Sequence, residues 1–155
     1  MNNFYKKGIS VIEILVVLAV IVFFISIVLF EFSKSREQQV LKNALVDSLS
    51  SINKARTQTL SSLNSSVYGI HFESDKVIIF KGTVFDNNDS SNEIINIISP
   101  ANISNVTLGG VSGATGEMYF NRLYGAPSKT GTITISTNSF SKTLTISATG
   151  SVSSN

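Results

Sequence analysis

The chain has 155 residues, 43% of them apolar, a formal charge of +2 and no cysteine. That length suits one modest domain plus one membrane segment. The lack of cysteine excludes disulfides and thiolate chemistry, and a single histidine, His71, excludes a multi-histidine metal centre.

Lys6 and Lys7 supply the whole net charge, because the other ten basic side chains balance ten acidic ones. Those ten are scattered singly, so no basic patch for nucleic acid is visible. After Lys6-Lys7-Gly8 comes an apolar run over residues 9–32; within 14–30 only Ser26 is polar. At about 1.5 Å per residue such a run crosses a hydrocarbon layer of about 30 Å. It is longer than the apolar stretch of a secretory signal, and Phe30-Glu31-Phe32-Ser33-Lys34 offers no small-x-small cleavage site. A retained single-pass anchor fits better. Lys6 and Lys7 precede it and Lys34, Arg36 and Lys42 follow it, so flanking charge does not fix its orientation. The very short leading tail favours a cytoplasmic N-terminus. One carboxylate, Glu13, stands in the first turns of this segment, where charge is costly and usually functional.

No glycine or proline occurs over residues 9–67. Beyond Phe32, apolar residues recur in steps of three and four at Val40-Leu41, Ala44-Leu45, Leu49, Ile52, Ala55, Leu60 and Leu63. The spacing predicts one helix over about 10–60, its second half amphipathic, with Arg56 at the edge of the packed stripe. Two helices broken at 33–35 are the alternative. Serines and asparagines at 61–66 end the helix.

Alternation then predicts strands at 67–72 and 76–81 around a turn at 73–75. A polar loop follows at 86–92, then a strand at 93–99 closed by Pro100 and a short strand at 106–108. Residues 116–123 read as a strand centred on Phe120. Residues 131–137 and 142–148 form the clearest hairpin, joined by 138–141, and Thr149-Gly150-Ser151-Val152 leads to a polar tail. The expected fold is α+β: a long N-terminal helix, transmembrane in its first half, packed on a C-terminal antiparallel sheet of six or seven strands.

Little in the predicted strand region points to chemistry. His71, alone on a strand, reads as structural or surface. Asp86-Asn87-Asn88-Asp89 is acidic but lacks the spacing of a twelve-residue calcium loop. Residues 109–116 are glycine-rich but lack the lysine of a phosphate cradle, and read as a flexible loop. Sequons at Asn64, Asn88, Asn102 and Asn105 arise easily in a chain this rich in Asn and Ser. No catalytic residue, metal ligand or cofactor is expected.

Lys6-Lys7-Gly8 followed by Ile-Ser-Val-Ile-Glu-Ile-Leu-Val-Val-Leu-Ala-Val-Ile resembles the leader and N-terminal helix of type IV prepilins and pseudopilins. The resemblance implies cutting after Gly8 by prepilin peptidase on the cytoplasmic side, then methylation of the Ile9 amine. It makes residues 1–8 a leader with Lys6 and Lys7 as its basic part, 9–32 the transmembrane half of the helix, 33–64 its amphipathic half and 65–155 a β-rich head. Glu13 becomes the fifth mature residue, one helical turn from Ile9, and implies a carboxylate that registers an incoming subunit by meeting an amine. Gly8, without a side chain, leaves the scissile backbone open to a protease. The chain departs from the family at Ile9, where Phe is usual, and at Val11-Ile12, where Thr-Leu is common. It also has no proline between Ile9 and Ser99, unlike many major pilins.

Ala55-Arg56-Thr57-Gln58-Thr59-Leu60, Tyr68-Gly69-Ile70-His71-Phe72, the stretch from Phe120-Asn121 through Gly131-Thr132-Ile133, and Leu144-Thr145-Ile146-Ser147-Ala148-Thr149-Gly150 are similar to segments of H-type minor pseudopilins. The implied function is a non-enzymatic structural subunit of a type II secretion pseudopilus or type IV pilus. A major pilin and a DNA-uptake minor pilin are the alternatives. The implied partners are prepilin peptidase, other pilin or pseudopilin subunits, an inner-membrane assembly platform and membrane lipid, with nucleic acid not expected. The implied location is a bacterial inner membrane, N-terminus cytoplasmic and head outside, before entry into a filament.

Overall fold

A computed structural model describes residues 10–155; Lys6, Lys7, Gly8 and Ile9 lie outside the described residues. The chain divides into two compact units, one ending at Arg36 and the other running Glu37–Asn155. Helix α1, Val11–Leu60, is unbroken at 33–35, as the absence of glycine and proline predicts.

In the first unit the helix is apolar on every side and exposed all round through Phe32. Such a helix needs a hydrocarbon or protein environment. Its most apolar window has a mean hydropathy of 3.2, so it is long and apolar enough to cross a membrane. Ser26 donates to the Val22 carbonyl at 2.8 Å, which satisfies its hydroxyl inside the helix. Near the end of the apolar run, Lys34 lies 4.4 Å from the centre of the Phe30 ring and 3.8 Å from the Glu31 carboxylate.

In the second unit the helix packs on two antiparallel sheets. One sheet has the order β3-β2-β1-β6, from β1 Tyr68–Phe72, β2 Lys76–Lys81, β3 Glu93–Asn96 and β6 Gly116–Tyr119. The other has the order β5-β4-β7-β8-β9, from β4 Asn102–Leu108, β5 Val111–Gly113, β7 Gly131–Ser136, β8 Ser141–Ile146 and β9 Val152–Ser154. The helix brings Leu41, Ala44, Ile52 and Ala55 into one core with Ile70, Phe72, Met118 and Phe120 of the first sheet region and Ile103, Val106, Ile133, Ile135, Leu144 and Ile146 of the second.

The α+β expectation of a helix on antiparallel strands holds, but the single sheet of six or seven strands is corrected to two sheets with nine strands among the described residues. The strand at 106–108 begins at Asn102, where asparagines obscured its alternation. The strand at 116–123 ends at Tyr119, and Phe120 makes an isolated bridge to Pro127 instead of a strand centre. The strand at 93–99 stops at Asn96. The polar tail supplies edge strand β9, paired with β8.

The glycine-rich segment is also corrected from a loop to a hairpin. Leu108 pairs with Val111, leaving Gly109-Gly110 as a two-residue turn with φ of 61° and 82°. Positive φ at both positions is what a type I′ turn requires, and glycine takes it without steric cost.

The packed stripe of α1 is shifted as well. Leu60 and Leu63 are exposed, while Ser48, Ser51 and Thr59 are buried. Small side chains at 44, 48, 51 and 55 let the helix approach the strands closely. Larger ones would have to be accommodated in an interior already near crystal density. Ser51 donates to the Asp47 carbonyl at 2.7 Å, whereas the buried Ser48 hydroxyl has no partner.

Candidate functional site

Glu13 stands in the first turn of α1, where the positive end of the helix dipole favours a carboxylate. Ile14, Val17 and Leu18 line a shallow apolar hollow beside it. Among the described residues of this unit the nearest other charged side chain in sequence is Glu31. The residues that the sequence pairs with Glu13, Gly8 and Ile9, and the leader lysines Lys6 and Lys7 lie outside the described residues.

The seam between the end of α1 and the strands is built by two polar side chains. Arg56 donates from Nε to the Gly125 carbonyl and from Nη2 to the Thr149 carbonyl, each at 3.0 Å. One guanidinium thus ties the helix to the loop after β6 and to the turn before β9. Thr59 accepts the Tyr68 backbone N–H at 2.8 Å and donates to the Ala55 carbonyl at 3.0 Å. The sequence marked Arg56 at the stripe's edge. Nothing marked Thr59, because a threonine near a helix end carries no signal of what it faces.

His71 lies on β1 between two carboxylates. Its Nε2 is 3.6 Å from Glu73 and its Nδ1 is 3.8 Å from Glu117. Glu73 also pairs with Lys76 at 3.2 Å. The ring stacks on Phe85, centres 4.0 Å apart and planes 11° apart, and Phe85 in turn meets Phe80 edge-on. Burial pushes the His71 pKa below its ordinary value, against the opposing pull of Glu73 and Glu117. The imidazole is therefore a packed element of the outer face of the first sheet. Phe85, in the loop after β2, is the residue that sequence reasoning missed; an aromatic in a short loop between Val84 and Asp86 was the available sign.

The loop at 86–92 is held by its own side chains. Asp86 accepts the Asn88 N–H at 2.9 Å, and Asp89 accepts the Ser91 N–H at 2.8 Å. The second bond holds the exposed Asp89 carboxyl below its ordinary pKa. These are Asx turns, and their carboxylate oxygens are engaged with backbone. Among the described residues no group of three or more His, Asp or Glu side chains is placed to hold a metal ion. No family model, no curated protein and no solved structure matches the chain.

Proposed function

We propose that the chain is a minor pilin or pseudopilin, a non-enzymatic structural subunit of a type IV pilus or type II secretion pseudopilus. In this reading prepilin peptidase removes residues 1–8 after Gly8 and methylates Ile9. The apolar segment holds the subunit in the inner membrane, with the head outside the cytoplasm, until other subunits and the assembly platform draw it into a filament.

The observation that carries the reading is the carboxylate of Glu13, in the first turn of α1 and followed by seventeen residues without another charge, 14–30, whose apolar side chains are exposed all round. A helix of this kind tolerates a charge at low cost only where a counter-charge meets it. An amine four residues before Glu13, on the same or a neighbouring subunit, is the counter-charge that the leader motif would generate. The unbroken α1 and the antiparallel strands packed on its second half are compatible with a subunit whose helix serves assembly and whose head faces outward.

The test is replacement of Glu13 by Ala in the native host. Normal processing with a tenfold or greater loss of the subunit from sheared filaments or purified pseudopilus is expected, on the order of one lost charge pair in an apolar setting. Undiminished entry of the variant into the filament would refute the role of the carboxylate.

A further inference from the structure

The second unit carries an apolar groove of about 480 Å³ between α1 and the β8–β9 edge, within the size range of small-molecule clefts. Leu41, Leu45, Val46 and Phe140 line it together with Lys42 and Lys142, both of them exposed. No carboxylate lines it. Among the described residues neither lysine has a carboxylate within ion-pair distance. Val46 is 53% exposed. Apolar surface next to two unpaired ammonium groups matches an amphiphile with an anionic head.

The chain itself indicates which amphiphile is at hand. Its apolar segment is long enough to sit in a bilayer, and only five residues lie between Phe32 and Gln38 at the start of the groove lining. In any conformation that tether is at most about 20 Å. We infer that the groove is a binding site for one anionic phospholipid, with an acyl chain against Leu41, Leu45 and Phe140 and the headgroup phosphate at Lys42 and Lys142. The inference rests on the membrane-spanning reading of the apolar segment and is independent of cleavage at Gly8 and of filament entry. Its consequence is a headgroup-dependent hold on the second unit for as long as the subunit stays in the membrane.

The test is native mass spectrometry of the full chain in mild detergent, with added phosphatidylglycerol or phosphatidylcholine. One retained phosphatidylglycerol, with little retained phosphatidylcholine, is expected. The double variant Lys42→Glu/Lys142→Glu is expected to lose about tenfold or more of that retention, the scale of two ammonium groups losing an anionic headgroup. Val46→Trp, which fills the groove from an exposed position and keeps both lysines, is expected to lose it as well. Lys34→Glu/Arg36→Glu, which changes charge outside the groove, is expected to retain the lipid. Equal retention of both lipids, retention surviving in both groove variants, or equal loss in the Lys34/Arg36 control would overturn the site. A dimer carrying no lipid would overturn it in favour of a second copy as the occupant.

Discussion

Thr59 on the last turn of α1 and Tyr68 at the start of β1 are joined by a 2.8 Å hydrogen bond from the Tyr68 N–H to the Thr59 hydroxyl. Both residues are buried, so the bond closes the chain reversal at 61–67 where water cannot replace it. The same hydroxyl donates back to Ala55. One side chain therefore satisfies a strand donor and a helix carbonyl at the point where the two elements diverge.

Thr59→Val keeps the shape and removes the acceptor, leaving a buried N–H without a partner. A loss of about 1–3 kcal/mol is expected. Thr59→Ser keeps the acceptor and loses about 1 kcal/mol for the missing methyl group. Thermal unfolding of the full chain in detergent, followed by the near-ultraviolet signal of its four tyrosines, distinguishes the two. No measurable loss for Val would show that the hydrogen bond contributes nothing.

Gly150 has a φ of 78° and stands against the Gly125 carbonyl, with Arg56 Nε 2.9 Å from where a Cβ would lie. Gly150→Ala is expected to cost roughly 2 kcal/mol or more, from the left-handed backbone and the displaced Arg56 together. Arg56→Met keeps the apolar stem and leaves the Gly125 and Thr149 carbonyls without their donors; about 1–3 kcal/mol is expected. Because both changes act on one cluster, the double variant should lose less than the sum. Additive losses measured by denaturant titration would show that the two sites are independent.

His71 makes stability depend on pH. Its folded pKa lies below the ordinary 6.5 because of burial, so the unfolded chain takes up the proton first as pH falls. Its contribution is full above about pH 6.5 and is lost as pH drops through the folded value. The melting temperature of the wild type should therefore fall between pH 7.5 and 5.5 more steeply than that of His71→Gln. Melting curves at those two pH values check it, and parallel shifts in the two proteins would contradict it.

How far the fold was legible depends on whether local pattern or tertiary packing decided each element. The length of α1 follows from the missing glycine and proline. The β7–β8 hairpin follows from clean alternation around Asn138-Ser139-Phe140-Ser141. Gly109-Gly110 was also legible, since two glycines between alternating segments mark a two-residue hairpin turn, but the glycines that follow suggested a loop. The burial of Ser48, Ser51 and Thr59 in place of Leu60 and Leu63 was not legible. It depends on how closely the helix lies on the strands, which hydrophobicity alone does not encode. The split into two sheets was hidden because only residues 106–108 of Asn102–Leu108 read as a strand, and Val152–Ser154 does not read as one at all. Of the residues singled out for assembly and processing, Glu13 falls within the described helix. The motif supplied the partner in its proposed role, the amine at Ile9, since an exposed carboxylate on the helix does not reveal what meets it.

Intact mass and N-terminal sequencing of the protein from its native membrane test the central proposal most directly. The expected species begins at Ile9 and carries one methyl group on its amine, and Gly8→Val should accumulate instead as the uncut chain. A wild-type chain still beginning at Met1, in cells with active prepilin peptidase, would contradict the proposal and leave the apolar segment as a plain anchor.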